Sequence, residues 1–333
     1  MLRIIEDGSE IRQCQGNFEQ AFKKLWDKKV YGFAGHMGKT SYDERDRFNW
    51  STELGMWGIF EKIEGSRYWN AFGLEEPKEG ALRSILTEIN FPLKGVDRRI
   101  AGVFAKDESG RIFICHSGKI GGGRPGIGKK LFKDNYRGKK VMVSDGEEEE
   151  EFALIGGINS PRLPYQVRAF VLEVDRLKKI GRGEIKRIEP KKKSEFTPEF
   201  SGKRRFKLNK EVVSDSDHGY IVGELARLLE NKDMAIGNDR NRDLYILNKE
   251  GNIQTLFEVK TDIESGSLYS GVGQLLLNSF LLEKRPGLIL VIPEQLPPDI
   301  EEGLRSIGIK CLNYRFLGKD VTFKNLKGVK LLK

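Results

Sequence analysis

Residues 242–260, RDLYILNKEGNIQTLFEVK, constrain this chain more than any other stretch. Two segments, Asp243-Leu244-Tyr245-Ile246-Leu247 and Ile253-Gln254-Thr255-Leu256-Phe257-Glu258-Val259, are rich in β-branched and aromatic residues, which suit a pleated, half-buried surface. The cluster Asn248-Lys249-Glu250-Gly251-Asn252 between them is turn chemistry, with Gly251 available for a positive φ. A hairpin follows. With Glu250-Gly251 as the turn, Lys249 pairs with Asn252, and stepping outward places Asp243 opposite Glu258. Directly opposed side chains have Cβ atoms about 4.5–5.5 Å apart, so two carboxylates meet on one face. Lys260 lies two residues beyond Glu258 and projects to that same face.

Two like charges side by side are unfavourable unless something compensates them. A divalent cation such as Mg²⁺ does so, because it favours carboxylate oxygens and keeps waters that can react. The plainer reading is a hairpin whose wet side carries Asp, Glu and Lys, as most charged residues are exposed. The flanking sequence weighs against it.

His218 to Asn231 has helical spacing, with Ile221, Val222, Leu225, Leu228 and Leu229 apolar and Asp215 or Asp217 as cap. Glu224 sits on or beside that apolar stripe and needs a partner, either a cation at the helix–sheet junction or water at the helix edge. Met234 to Ile236 reads as a short strand before the hairpin. Leu268 to Leu282, containing Gln274, reads as an apolar helix, and Leu288 to Ile292 as a buried strand. Pro298 to Ile307 is a helix opened by proline, and Lys310 to Tyr314 a further strand. Helix, three strands, helix, strand, helix, strand describes a mixed sheet with helices on its faces.

Residues 218–314 resemble the PD-(D/E)XK nuclease superfamily, the fold of many restriction endonucleases. The resemblance rests on Glu224 in the first helix, Asp243 on the second strand, Glu258-Val259-Lys260 on the third, and Gln274 in the helix that follows. Arg242 stands where the family's nominal proline would be, and Asn278 where some subfamilies carry tyrosine. It covers under a third of the chain and does not extend to residues 1–200, for which we recognise no family. It implies that Asp243, Glu258 and the Val259 carbonyl hold Mg²⁺ (or Mn²⁺ in its place), with Glu224 joining directly or through water. Lys260 would orient or help deprotonate the attacking water and stabilise charge at the phosphate, and Gln274 would position Lys260 or the backbone. The implied reaction is in-line hydrolysis of a phosphodiester.

The rest of the chain reads as a separate β-rich α+β domain, giving an α/β (α+β) protein overall. The expected division is a DNA-recognition domain over 1–178, a basic linker over 179–216 and the nuclease domain over 217–333. Residues 2–5 read as a strand and Asn17 to Lys28 as a helix. Arg99 to Val103 and Arg111 to Cys115 read as a hairpin around Asp107-Glu108-Ser109-Gly110, and Val167 to Val174 as a strand. All four tryptophans fall in the first 69 residues, with Phe48, Phe60, Tyr68 and Phe72 around them. They form an aromatic core, or lend one or two rings to stack on an unpaired base.

The net charge of +9 and pI near 9.2 favour an anionic partner, with double-stranded DNA first. Residues 116–140 are dense in Gly, Lys and Arg, with Phe132 and Tyr136 interleaved, so Lys119, Arg124, Lys129 and Lys130 are candidate phosphate contacts. Lys203, Arg204 and Arg205 in the linker are others. The acidic run Glu147 to Glu151 reads as a solvated loop, or as a brace for the basic stretch in the absence of DNA. No nucleotide cofactor is expected. In Gly123 to Lys130 a lysine replaces the Ser or Thr of a phosphate-binding loop, and before Gly38-Lys39-Thr40 Phe33 replaces its first glycine.

Three scattered cysteines and three histidines offer neither a disulfide framework nor a zinc cluster. No apolar run spans a membrane and the N-terminus lacks an apolar signal core, so a cytoplasmic protein is expected. The leading expectation is a restriction-type endonuclease whose N-terminal domain selects the site, with reading of a modified or flipped base as a refinement of it. A homodimer is expected on DNA, since cutting both strands needs two centres. The alternatives are a DNA-repair or RNA-directed defence nuclease, and a non-catalytic DNA-binding protein on a degenerate nuclease fold.

Overall fold

A computed structural model describes residues 1–35, 45–121, 126–184, 211–232, 234–239, 241–317 and 320–324, with 211–216 as backbone alone. The architecture is mixed α/β, in two compact units, Met1–Ile185 and Lys186–Lys333. Among the described residues no helix is long and apolar enough to cross a membrane.

The first unit begins with β1 (Leu2–Ile4) and α1 (Gly8–Phe22), then β2 (Lys28–Gly35), β3 (Asp46–Ser51), β4 (Met56–Ile63) and β5 (Arg67–Gly73). Short strands β6 (Leu82–Ser84), β7 (Thr87–Glu88) and β8 (Phe91–Pro92) follow, then β9 (Gly102–Lys106) and β10 (Ile112–His116). It closes with α2 (Lys129–Asn135), β11 (Lys140–Ser144), β12 (Glu149–Gly157) and α3 (Leu163–Gly181). Strands β1, β11, β12, β10 and β9 close a barrel, and the others form a sheet in the order β6-β2-β3-β4-β5-β7, with β8 on β5.

Helix α1 starts earlier than the expected Asn17, because Asp7 caps it by accepting from the Glu10 N–H at 2.8 Å. It ends at Phe22, and Lys28 already belongs to β2. The hairpin around Asp107 forms, but its first strand is Gly102–Lys106 rather than 99–103. Val167 to Val174 is not a strand. It lies within α3, whose buried Leu163, Val167, Phe170, Val171, Val174 and Leu177 recur at helical spacing. Leu163 and Leu177 reveal that period only when the window is widened beyond the apolar run. The aromatics are core: Phe18, Phe22, Phe48, Trp57 and Phe72 are fully buried, Trp50 and Tyr68 nearly so, and Trp26 stacks on Phe22 at 5.2 Å.

The second unit contains α4 (Glu211–Glu230), β13 (Ile236–Asp239), β14 (Arg242–Leu247), β15 (Ile253–Val259), α5 (Ser265–Phe280), β16 (Gly287–Ile292), α6 (Pro298–Ser306), β17 (Ile309–Leu317) and β18 (Asp320–Lys324). The six strands form one sheet in sequence order, antiparallel at both ends and parallel through β15, β16 and β17. Against expectation, the first strand begins at Ile236 rather than Met234, and β18 is an added edge strand.

The central hairpin turns differently from the sequence reading. Asn248, not Lys249, pairs with Asn252, and the Asn248 side chain accepts from the backbone N–H groups of Glu250 and Asn252. Gly251 takes φ +82°. That loop shifts the register by one residue, and an irregularity between Ile246 and Leu247 shifts it back, so that Leu244 pairs with Phe257. The two departures cancel, so the paired ladder keeps the expected register as far as Leu244 and Phe257, and Asp243 follows as the next residue out.

Alternation along the strands assigns the faces. Tyr245, Leu256, Leu288, Leu290 and Ile292 pack in one cluster with Leu275 of α5. Glu258 is two residues on from Leu256 and shares that face. In β17, Ile309 joins that cluster, while Phe316, of the opposite alternation, stacks on Tyr220 of α4 at 6.1 Å. Helix α4 therefore covers the other face.

Candidate active site

The site lies where β14 begins and β15 ends, beneath α5. Asp243 Oδ2 accepts from the Val259 backbone N–H at 2.9 Å and from His218 Nε2 at 2.9 Å. An ionised carboxylate only accepts, so His218 carries its proton on Nε2 in this arrangement. Among the described residues Asp243 Oδ1 accepts no hydrogen bond, and the side chain is partly open to solvent. In a strand, one residue's N–H and C=O face the same neighbour. Because the Val259 N–H points at Asp243, its carbonyl points to that side too.

Glu258 is only 3% exposed and is charge-compensated by Lys260, whose Nζ stands 2.8 Å from Glu258 Oε1. Lys260 Nζ also donates to Gln274 Oε1 at 2.7 Å, and Ser270 Oγ meets the same oxygen at 3.1 Å. Two of the three ammonium protons are thus placed, and among the described residues the third has no acceptor. The lysine backbone is fixed as well: its N–H donates to Val291 O at 2.8 Å, and its carbonyl accepts from Tyr314 Oη at 3.3 Å. Gly271 of α5 lets the lysine stem lie close. A Cβ at that position would stand 3.1 Å from Lys260 Cε and 2.7 Å from Leu290 Cδ1.

The structure brings Asp243, Glu258, Lys260 and Gln274 together, and places Glu224 in another setting. Glu224 is nearly buried on α4, and its carboxylate is ion-paired with Arg227 one turn along that helix. Among the described residues no three His, Cys, Asp or Glu side chains form a group able to hold a metal ion. The donor set that fits a hard cation is smaller: the Asp243 and Glu258 carboxylates and the Val259 carbonyl. A cation that retains several waters needs no more than one or two carboxylates. Glu224 is ion-paired with Arg227 in this structure.

His218 was missed in the sequence because it carries no metal-ligand spacing. Its signal was modest: one of three histidines, opening the same helix as Glu224. Glu224 lies six residues further on, roughly 9 Å along the helix and about 240° around it, so α4 offers Asp243 its histidine rather than its glutamate. Tyr314 and Asn278 were also missed in these roles; Asn278 Nδ2 donates to the Asn241 carbonyl at 2.9 Å, tying α5 to the start of β14.

The candidate DNA contacts are partly engaged within the first unit. Lys119 donates to the Arg98 carbonyl, and Lys129 is ion-paired with Glu150, which Lys133 also approaches at 3.4 Å. Lys130 is exposed. Arg124, Lys203, Arg204 and Arg205 lie outside the described residues. Residues 116–140 are not one open loop: they contain α2, and Phe132 and Tyr136 are core residues. The acidic run is likewise not all loop, since Glu149 to Glu151 open β12. Burial opposes the charge on Glu150, but Lys129 and Lys133 outweigh it and hold the carboxyl below its ordinary range.

The chain was compared with protein-family models, with curated proteins and with solved structures, and none matches it.

Proposed function

We propose that this chain is a metal-dependent nuclease that hydrolyses phosphodiesters in double-stranded DNA, with its centre at Asp243, Glu258 and Lys260 and site choice made by the N-terminal unit. One observation carries the reading. Among the described residues, Lys260 Nζ is held by Glu258 and Gln274 with no third acceptor, beside Asp243, whose hydrogen bonds there fall on Oδ2 and not on Oδ1.

Asp243, Glu258 and the Val259 carbonyl would hold Mg²⁺, with Mn²⁺ able to take its place. Such a cation supplies Lewis acidity toward the phosphoryl oxygen and a more acidic water. Within that setting Lys260 directs its remaining proton to the attacking water or to a non-bridging oxygen, stabilising negative charge as it develops. Gln274 and Ser270 hold the ammonium in place, and His218 with the Val259 N–H holds Asp243 so that Oδ1 faces outward. A basic chain of net charge +9 favours a polyanionic substrate.

The test is a cleavage screen of the purified chain with Mg²⁺ on methylated DNA, unmethylated DNA and RNA. Mg²⁺-dependent cutting of DNA, lost in Asp243→Ala, is the expected result. Cutting of RNA alone would replace the substrate assignment, and cutting unaffected by Asp243→Ala would overturn the site.

A further inference from the structure

Helix α5 carries the lysine-positioning Gln274, and its outer surface is unlike the rest of the chain. Its sixteen residues, SGSLYSGVGQLLLNSF, contain no charge, in a protein in which 32% of residues are charged. The core side is filled by Gly271, Leu275 and Ser279, with Leu268 and Val272 packed beside them. Away from the core, Tyr269, Leu277 and Phe280 are 77%, 64% and 71% exposed. With Gly266 and Gly273 they fall within an arc of about 80° around the helix. At both glycines a Cβ would meet nothing within 4 Å.

The stripe is self-complementary. Tyr269 and Leu277 each lie four residues from Gly273, and Gly266 and Phe280 each lie seven. An antiparallel copy related by a two-fold axis at Gly273 therefore sets each Tyr269 against the other copy's Leu277, and each Phe280 over the other copy's Gly266. Large side chains meet the gaps left by glycine, and every contact occurs twice, as an isologous interface requires. The ends agree in charge. Glu264 stands just before the helix, while Arg285, 5.9 Å from the Phe280 ring, lies just after it. Antiparallel pairing brings these opposite charges toward each other. The helix itself carries no charge, and two strongly basic chains approach most easily on a neutral face.

We propose that the outer stripe of α5 is a homodimer interface, two copies packing antiparallel about a two-fold axis at Gly273. This deepens the nuclease proposal, on which its consequence for paired cutting rests. Each centre is tied to α5 through Gln274, so the dimer would hold two centres at a fixed separation, one for each strand.

Sedimentation of the full chain without DNA tests the association apart from catalysis. Dimers are expected for the wild type. Leu277→Lys and Tyr269→Lys should each weaken association by about a hundredfold while leaving the circular dichroism unchanged, since each truncates a central contact twice over. The double variant Tyr269→Lys/Leu277→Glu should restore dimers, because the axis sets each new lysine against a new glutamate. Gly273→Cys should crosslink copy to copy on oxidation; the native cysteines compete little, Cys14 and Cys115 being buried and the thiols of Cys14 and Cys311 raised to about 11 by burial. A monomeric wild type, a dimer indifferent to Leu277→Lys, or a Gly273→Cys chain that fails to crosslink would overturn the proposal and leave the Asp243 centre standing. Dimers that behave as expected but cut nothing would overturn the nuclease reading instead.

Discussion

His218 Nε2 and Asp243 Oδ2 stand 2.9 Å apart, and this contact joins the helix on one face of the second unit's sheet to the carboxylate at the start of β14. The Val259 N–H shares the same oxygen. Asp243 is thus held by two donors at one oxygen, while among the described residues the other accepts no hydrogen bond. Both donors act on the orientation of the carboxylate rather than on any reacting atom.

Removing one donor should loosen that orientation. His218→Ala is expected to weaken Mg²⁺ activation of cleavage by about 10–100-fold, the usual worth of a partner that orients a ligand. His218→Gln, which keeps an N–H donor, should recover part of it. A Mg²⁺ titration of the cleavage rate reads both; equal loss in the two variants would mean the histidine acts by packing instead.

Lys260 neutralises a carboxylate that is almost fully buried. Leaving such a charge unpaired costs about 3–5 kcal/mol. Lys260→Ala should therefore lower the melting temperature as well as abolish cleavage, and Mg²⁺ should raise that melting temperature more in the variant than in the wild type. Thermal melts with Mg²⁺ and with a chelator check this. An unchanged melting temperature in chelator would show that Glu258 is compensated elsewhere.

Much of the second unit was legible in the sequence because its strands are long, apolar and punctuated. The register that carries Asp243 toward the end of β15 was also legible, though through a pairing that the Asn248 turn shifts and the irregularity after Ile246 restores. Glu224 was placed on the apolar stripe of its helix, but the sequence could not reveal that Arg227, one turn on, would claim it. The first unit was harder. Its apolar run at 167–174 looks equally strand-like until Leu163 and Leu177 disclose the helical period. Its barrel depends on β1 pairing with strands about a hundred residues later, a contact no local pattern announces.

Gly271 should prove necessary to the lysine's position. In Gly271→Ala the new methyl group presses on Lys260 Cε and Leu290 Cδ1. Overpacking of this kind costs about 1–3 kcal/mol, offset by about 1 kcal/mol of gained helix propensity. Stability should fall only slightly, while cleavage drops by roughly tenfold to a hundredfold, because displacing a catalytic group by about 1 Å is enough for that. Cleavage rate against thermal stability separates the two, and full activity in the variant would mean that the ammonium tolerates the shift.

The pH dependence of stability should carry the signature of His116, far in sequence from the centre. This ring is fully buried on β10, with Nε2 at 3.2 Å from the Glu88 carbonyl and Nδ1 accepting from the Gly118 N–H at 3.0 Å. Both nitrogens are satisfied by a neutral ring, and burial pushes the pKa down from 6.5 to about 4. Below pH 6.5 the unfolded chain takes up a proton that the folded one refuses, so stability falls with falling pH. His116 contributes its full share above pH 6.5 and loses on the order of 3 kcal/mol by pH 4. Carboxylates titrate in the lower part of that window too, so the comparison is with His116→Gln. Urea unfolding between pH 7 and 4 should give a shallower decline for the variant, most clearly from pH 6.5 to 5, where few carboxylates titrate. Parallel profiles across that interval would show that the buried ring takes up its proton without unfolding.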